Sequence, residues 1–289
     1  MSIVLKDYFV KEIQKNLYSD NSFLSDFRNM SQMSDKGKTL TYTDLSTPIN
    51  IVVDGGAKTT DISVNDVSTT SKTVVAKHRK LDKPAGVAYF EQMGATVEIF
   101  DAAFKYLVDG YSNATANQVL SEIITDAVSD SVVITTTGAV GTANDLAGGA
   151  KNKLTVEDFI KAGSELMKQN ATGEKIALMD AVQYSELLAD PAILVNSNWG
   201  SNPVAKDGYI NQIAGFKIRV RDIVSTTAID DNRKVVCYIK NELTVFGDNP
   251  AVRVFEDDYN FQTNVNIQSH LLAFNSRNDG KNIVLIEQV

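Results

Sequence analysis

The stretch LTVEDFIKAGSELMKQ (residues 154–169), followed by KIALMD (175–180) and VQYSELL (182–188), decides how this chain is read. Thr155 and Asp158 form a capping box ahead of an apolar face made by Phe159, Ala162, Leu166 and Met167, so a helix is expected to about Gln169. Lys175 to Asp180 then reads as a short strand, Val182 to Leu188 as a short helix and Asp190-Pro191 as a break. Ser197 to Gly208, which holds the only tryptophan, Trp199, is a polar loop, and Ile210 to Val224 resumes strand character. From there strands and turns alternate to Val289. No repeat recurs along the chain, which argues against a solenoid.

Upstream of Leu154 the signals are of a different kind. Leu5, Phe9, Ile13 and Leu17 lie four apart with lysines and Glu12 between them, predicting an amphipathic helix over 2–18. Ser19 to Lys38 is rich in Ser, Asp, Asn and Met without periodicity and reads as an irregular arm. Between Thr39 and Lys83 the chain looks extended: Ile49 to Val53 is β-prone, Asp54-Gly55-Gly56 is turn chemistry, and Lys72 to Lys77 brings β-branched residues back. Val97, Phe100, Phe104 and Leu107 then predict a helix ending at Gly110. A second helix over 114–128 is expected with Asn113 as its cap, carrying Val119, Leu120, Ile123 and Ile124. Val132 to Thr136 is β-prone, and Gly138 to Lys153 reads as a flexible Gly, Ala, Thr and Asn linker forming the main internal boundary. Helices and strands together make the fold class α+β.

With 289 residues, 43% of them hydrophobic and 22% charged, the chain has enough apolar surface for a sizeable core. No apolar run is long enough for a spanning helix, so no membrane partner is expected. The start MSIVLKDYFVKEIQKN lacks the stages of a signal peptide, which predicts a cytosolic origin. The balance of 28 Lys+Arg against 36 Asp+Glu, a net charge of −8, opposes general attraction to a phosphate backbone.

Chemistry-bearing patterns are sparse. Cys237 is the single cysteine and stands in Val235-Val236-Cys237-Tyr238-Ile239, where a buried small hydrophobe is expected. His78 and His270, the only histidines, lie far apart in the sequence and fit no HExxH or paired Cys/His spacing. A surface histidine and a strand histidine are expected, and no metal or cofactor. Gly55-Gly56, Gly148-Gly149 and the GAVGTA run at 138–143 lack the frame of a phosphate loop. The acids Glu256-Asp257-Asp258 and Asp230-Asp231 are consecutive, so on a strand they point to opposite faces and do not converge on a bond to be cleaved. No catalytic residue is assigned. Solvated acidic loops are the expected reading; the functional alternative is that they face a basic surface on another subunit, for which Lys77, Arg79, Lys80 and Lys83 are complementary in charge.

The order of elements after Leu154 resembles the major capsid protein of tailed phages of the Hong Kong 97 type. The likeness lies in Leu154-Thr155-Val156-Glu157-Asp158, then Ala177-Leu178-Met179-Asp180, then Tyr184-Ser185-Glu186-Leu187-Leu188, then the glycine-marked Gly208 to Ile218, and in the strand-rich tail of Ile267 to Phe274 and Asn282 to Val289. The resemblance implies an α+β Hong Kong 97-type capsid fold: an N-terminal arm (1–45), an extended β-hairpin loop or E-loop (46–85), a peripheral domain with a long spine helix (86–150 and 243–289) and an axial domain (151–242). It implies subunits that assemble as hexamers and pentamers into an icosahedral shell around packaged double-stranded DNA, held without sequence-specific binding. Assembly in the bacterial host cytoplasm, a portal protein and decoration proteins belong to the same picture. No long acidic or helical prefix suggests a fused scaffolding segment, so a separate scaffolding protein is expected. Some members join a lysine and an asparagine of different subunits covalently; no local motif marks Lys58 or Lys72 for that chemistry.

On this reading the expected subunit contacts are Val53, Asp54, Gly55, Lys58 and Lys72 in the extended loop, the basic Lys77, Arg79 and Lys80, and the acidic Glu256, Asp257 and Asp258. An encapsulin-like bacterial compartment shares the implied fold and is the nearest alternative. A tail-tube or adhesin protein and an enzyme with an unrecognised site are more distant ones.

Overall fold

The computed structural model describes residues 11–12, 23–30, 39–45, 69–80, 85–88, 98–130, 132–169, 171–190, 193, 210–221, 232–247, 251–257, 262–275 and 282–289. A 3₁₀ turn (Phe23–Asp26) leads into β1 (Arg28–Asn29), followed by β2 (Thr39–Leu45), β3 (Thr69–Val75), β4 (Lys77–Lys80) and β5 (Ala85–Ala88). Next come α1 (Glu98–Asp130), β6 (Val132–Thr135), α2 (Val156–Lys168), β7 (Lys175–Met179), α3 (Ala181–Leu188), β8 (Gln212–Ile213) and β9 (Phe216–Val220). The chain ends with β10 (Lys234–Ile239), β11 (Leu243–Gly247), β12 (Ala251–Asp257), β13 (Gln262–Asn275) and β14 (Ile283–Glu287). The amphipathic helix expected over 2–18 falls, except for residues 11–12, outside the described residues, as does the loop around Trp199.

The sheet ordered β6-β14-β10-β7-β9-β8 is covered on both faces. This is why its central strands read as unbroken apolar runs rather than alternating ones. Side chains alternate all the same. Ala177, Met179, Val235, Cys237, Ile239, Val284 and Ile286 join one core with Phe159, Ala162 and Leu166 of α2. Ile176, Leu178, Val236, Tyr238, Ile283 and Leu285 join a second core with Val119, Leu120, Ile123 and Ile124 of α1. At the start of α2 the Asp158 carboxylate accepts from the Thr155 N–H at 3.0 Å and from the Thr155 hydroxyl at 2.9 Å. Met167, expected on the buried face, is 66% exposed; Val156, Phe159, Ala162 and Leu166 carry that face, and Met167 falls one step around the helix from it.

Three further expectations are corrected. The helices predicted over 97–109 and 114–128 are one helix of 33 residues, and Asn113 lies inside it rather than capping it. Gly110 costs about 1 kcal/mol in a helix interior, but Val108, Tyr111, Thr115, Ala116 and Val119 bury a stripe that runs straight across it, so packing overrides the local signal. Second, Gly138 to Lys153 is a fastened loop and not a flexible linker. The Asn144 amide donates to the Lys151 carbonyl at 2.9 Å and to Glu186 at 3.0 Å, and Arg233 reaches the Asn144 carbonyl at 2.8 Å while pairing with Asp180. Gln288 donates to the Asn152 carbonyl and to Glu186. Third, the tail does not all return to one peripheral sheet: β14, together with β6, lies in the two-faced sheet beside β10.

The other large sheet is organised around β13, whose 14 residues extend about 45 Å at strand rise. Leu271 is paired with both Lys77 and Gly247, and Gln268 with both Lys80 and Ala251. β4 and β5 therefore follow one another along one side of β13, and β11 and β12 along the other. A Cβ on Gly247 would run into the His270 carbonyl and lie 2.8 Å from the Leu271 Cα, so only glycine permits the close approach where β11 gives way to β12. Helix α1 packs across this sheet: Val265, Ile267, Leu271 and Ala273 enter its core, and the Tyr111 hydroxyl lies 2.7 Å from Ser269 Oγ.

Candidate functional site

β2 and β3 form a two-stranded antiparallel sheet of their own, in register from Thr39 opposite Val75 to Leu45 opposite Thr69. Two strands alone are marginal in water. Thr41 and Thr73 are bridged hydroxyl to hydroxyl at 3.4 Å, and Val75 is exposed. Lys72 lies in this ribbon opposite Tyr42; Val53, Asp54, Gly55 and Lys58 lie outside the described residues.

The basic run that follows does not act as a unit. Along β4, Lys77 and Arg79 share the face turned to α1: Lys77 Nζ lies 3.1 Å from Glu122 Oε1, and the buried Arg79 guanidinium donates to Glu122 Oε2 at 3.0 Å, to Gln118 at 2.5 Å and to the Leu271 carbonyl at 3.3 Å. Arg79 thus clamps β4 and β13 to the helix within one subunit, and the charge expected to meet another subunit is engaged internally. Lys80, opposite Gln268, is exposed. In the β13 sheet, Glu256 and Asp257 close β12 opposite Thr263 and Gln262 at the start of β13; Asp258 lies outside the described residues.

Two arrangements were not anticipated from the sequence. Phe23, Leu24 and Phe27, in a segment expected to be an irregular arm, are buried in the core against α1 and Tyr238. Between them the buried Asp26 carboxylate accepts from Nε and Nη2 of Arg219, each at 3.0 Å, and from the Tyr238 hydroxyl at 3.4 Å, while the Asn241 N–H donates to the main-chain carbonyl of Asp26. Arg221 lies over the Phe23 ring at 5.2 Å and donates to Asn117 of α1. Burial, reinforced by the Asp26 charge, pushes the Tyr238 phenol up, and the bond to Asp26 raises Arg219 further. The two aromatics and Leu24 in an otherwise polar stretch are the available signal for this plug. The second arrangement sets His78 opposite His270, with ring centres 4.8 Å apart. Only strand register brings them together.

Cys237 is fully buried and burial pushes its thiol up, away from reactivity. Among the described residues no group of three or more His, Cys, Asp or Glu side chains is placed to hold a metal, and no helix is long and apolar enough to cross a membrane.

No protein-family model and no curated protein matches the sequence. Solved structures match its fold. A structure of Mycobacterium phage Che8 is 14% identical, with 91% of this chain and 90% of that one covered at a TM-score of 0.66. The capsid of Ralstonia phage GP4 is 12% identical, covering 94% and 88% at 0.65. The chain has the fold of phage capsid subunits. A virus-like particle from Pyrococcus furiosus is also similar, at 12% identity and a TM-score of 0.56, over 98% of this chain and 100% of that one. The likeness to phage capsid structures takes in elements upstream of Leu154 as well as those after it.

Proposed function

We propose that this chain is a major capsid protein whose copies form hexamers and pentamers and close into an icosahedral virion shell around packaged double-stranded DNA. The observation that carries this reading is the likeness to phage capsid structures over nine-tenths of both chains. The architecture supports it physically. A long sheet backed by a 33-residue helix suits a lattice edge, a two-faced sheet suits a compact body, and the isolated β2–β3 ribbon suits an element completed by a neighbour. In the family's terms the ribbon and residues 46–68 between its strands are the E-loop, α1 is the spine helix, the β13 sheet is the peripheral domain and the β10 sheet is the axial domain. Val53, Asp54, Gly55, Lys58 and Lys72 are assigned to contacts made by the loop, Lys80 and Glu256, Asp257 and Asp258 to rim charges on the peripheral domain.

The partners on this reading are other copies of the chain, a separate scaffolding protein, a portal protein and decoration proteins, with assembly in the host cytoplasm. The net charge of −8 suits a wall that encloses DNA without gripping it. The function needs no reaction centre. A second reading, a compartment shell that encloses protein cargo, is favoured by the likeness to the Pyrococcus virus-like particle over the full length of both chains.

Electron microscopy of the purified protein, with its scaffolding partner supplied, is expected to show closed shells; strictly monomeric protein under those conditions, or stacked rings without closure, refutes the proposal. Particles recovered from infected or expressing cells then separate the two readings by content, DNA for the first and a single protein cargo for the second. Replacing residues 46–68 by an Asn-Gly turn rejoins Leu45 to Thr69, which are already paired. That variant is expected to stay folded and to fail to close stable shells; normal particles would remove the loop from assembly.

A further inference from the structure

We propose that His78 and His270 form a two-imidazole site for a late first-row transition-metal cation, Cu²⁺ or Ni²⁺ in preference to Zn²⁺, bridging β4 and β13. They are the only two histidines in the chain, and strand register sets them directly opposite each other. Their ring centres are 4.8 Å apart with the planes 35° from parallel. Two imidazoles bound through nitrogen to one cation, with bonds of about 2.0–2.1 Å and an angle between a right angle and the tetrahedral value, hold their ring centres roughly 4.5–5.5 Å apart. The observed separation falls inside that window.

The surroundings suit such a cation. The pair lies on the face of the β13 sheet opposite α1, since its strand neighbours Arg79 and Ser269 are the residues turned to the helix. His78 is exposed and His270 half-buried, so solvent reaches the pair and water can fill the remaining coordination positions. Imidazole is a ligand for Cu, Ni and Zn, and affinity for a given nitrogen site rises through Ni²⁺ to Cu²⁺ and falls again at Zn²⁺; Mg²⁺ and Ca²⁺ prefer oxygen. Two residues upstream of His78, Ala76 joins Phe274 in a small cluster that roots the β2–β3 ribbon. A bridging cation therefore locks β4 to β13 at the base of that ribbon.

The test uses tag-free full-length protein. Titration calorimetry with Cu²⁺, Ni²⁺, Zn²⁺ and Mg²⁺ is expected to give one transition-metal ion per chain, tightest for Cu²⁺, with Mg²⁺ silent. His78→Gln and His270→Gln are each expected to weaken Cu²⁺ binding at least tenfold and to match the double variant, because one imidazole alone does not chelate. The double variant contains no histidine, so its residual binding measures the carboxylates. Electron paramagnetic resonance of the Cu²⁺-loaded wild type should show two equivalent nitrogen ligands, a readout that does not depend on how the variants fold. Three outcomes overturn the proposal: wild type binding no better than the histidine-free variant, single variants each keeping half the binding capacity, or a spectrum with at most one nitrogen.

Discussion

Asp26→Ala is expected to loosen the start of the chain from the body of the subunit. The carboxylate is buried and accepts two charge-assisted bonds from Arg219 at 3.0 Å and a longer one from Tyr238 at 3.4 Å. Each charge-assisted bond is worth about 1.5–3 kcal/mol, and breaking a buried pair from one side costs about 3–5 kcal/mol. Arg219 keeps 19% of its side-chain surface in solvent, so the orphaned guanidinium rehydrates in part. The expected cost is therefore about 3 kcal/mol, at the lower end of that range. Tyr238→Phe, which removes only the long bond, should cost about 1 kcal/mol. Urea denaturation of unassembled subunits, followed by far-UV circular dichroism, gives these values, and a double-mutant cycle of Asp26→Ala with Arg219→Ala isolates the pair. A coupling of about 2 kcal/mol is expected. Proteolysis of the native protein near Phe27 should rise in parallel, because Phe23, Leu24 and Phe27 are held in place by the same turn. A coupling below about 0.5 kcal/mol, with no change in cleavage, would refute the view that this ion pair anchors the segment.

Three other outcomes follow from single positions. A Cβ at Gly110 meets nothing within 4 Å, so Gly110→Ala should stabilise α1 by about 1 kcal/mol in the same assay, and a loss there would mean that the helix is not continuous through 110. Gly247→Ala should cost about 1–3 kcal/mol because its Cβ collides with the backbone of β13; a neutral result would contradict the register there. Burial pushes the Cys237 thiol and the Tyr238 and Tyr111 phenols up, whereas the unfolded chain releases these protons at about pH 8.5 and 10. Above those values the unfolded state binds fewer protons than the folded one, so stability is fully present below about pH 8 and falls as pH rises, by up to about 1.4 kcal/mol per pH unit for each group. Cys237→Ala should flatten the first part of that fall, near pH 9, and parallel curves for the two proteins would refute the assignment.

Elements defined by period and punctuation were legible in the residues themselves. The Thr155–Asp158 cap, the Phe159, Ala162 and Leu166 face, the strand at Lys175 and the buried run around Cys237 all stand where local pattern puts them. A cap or an alternating strand is written within a few residues, so local physics suffices. Where reading failed, distant residues outweighed local preference. Gly110 and Asn113 carry stop and start signals, yet the stripe packed on β13 carries the helix through them. The composition of Gly138 to Lys153 suggests flexibility, but Arg233, Glu186 and Gln288, far along the chain, supply the bonds that fasten it.

The same division holds for the candidate contacts. An α+β chain with an extended segment ahead of a long helical region, the order that resembles a capsid subunit, is readable from the residues alone, because order and periodicity are properties of neighbouring residues. Long-range packing, by contrast, sets Arg79 and Lys77 against Glu122 of their own subunit, holds Asp26 on Arg219, and brings two histidines 192 residues apart face to face. Each of these depends on strand register and helix packing, in which a shift of one residue turns a side chain to the opposite face, and no local signal encodes that choice.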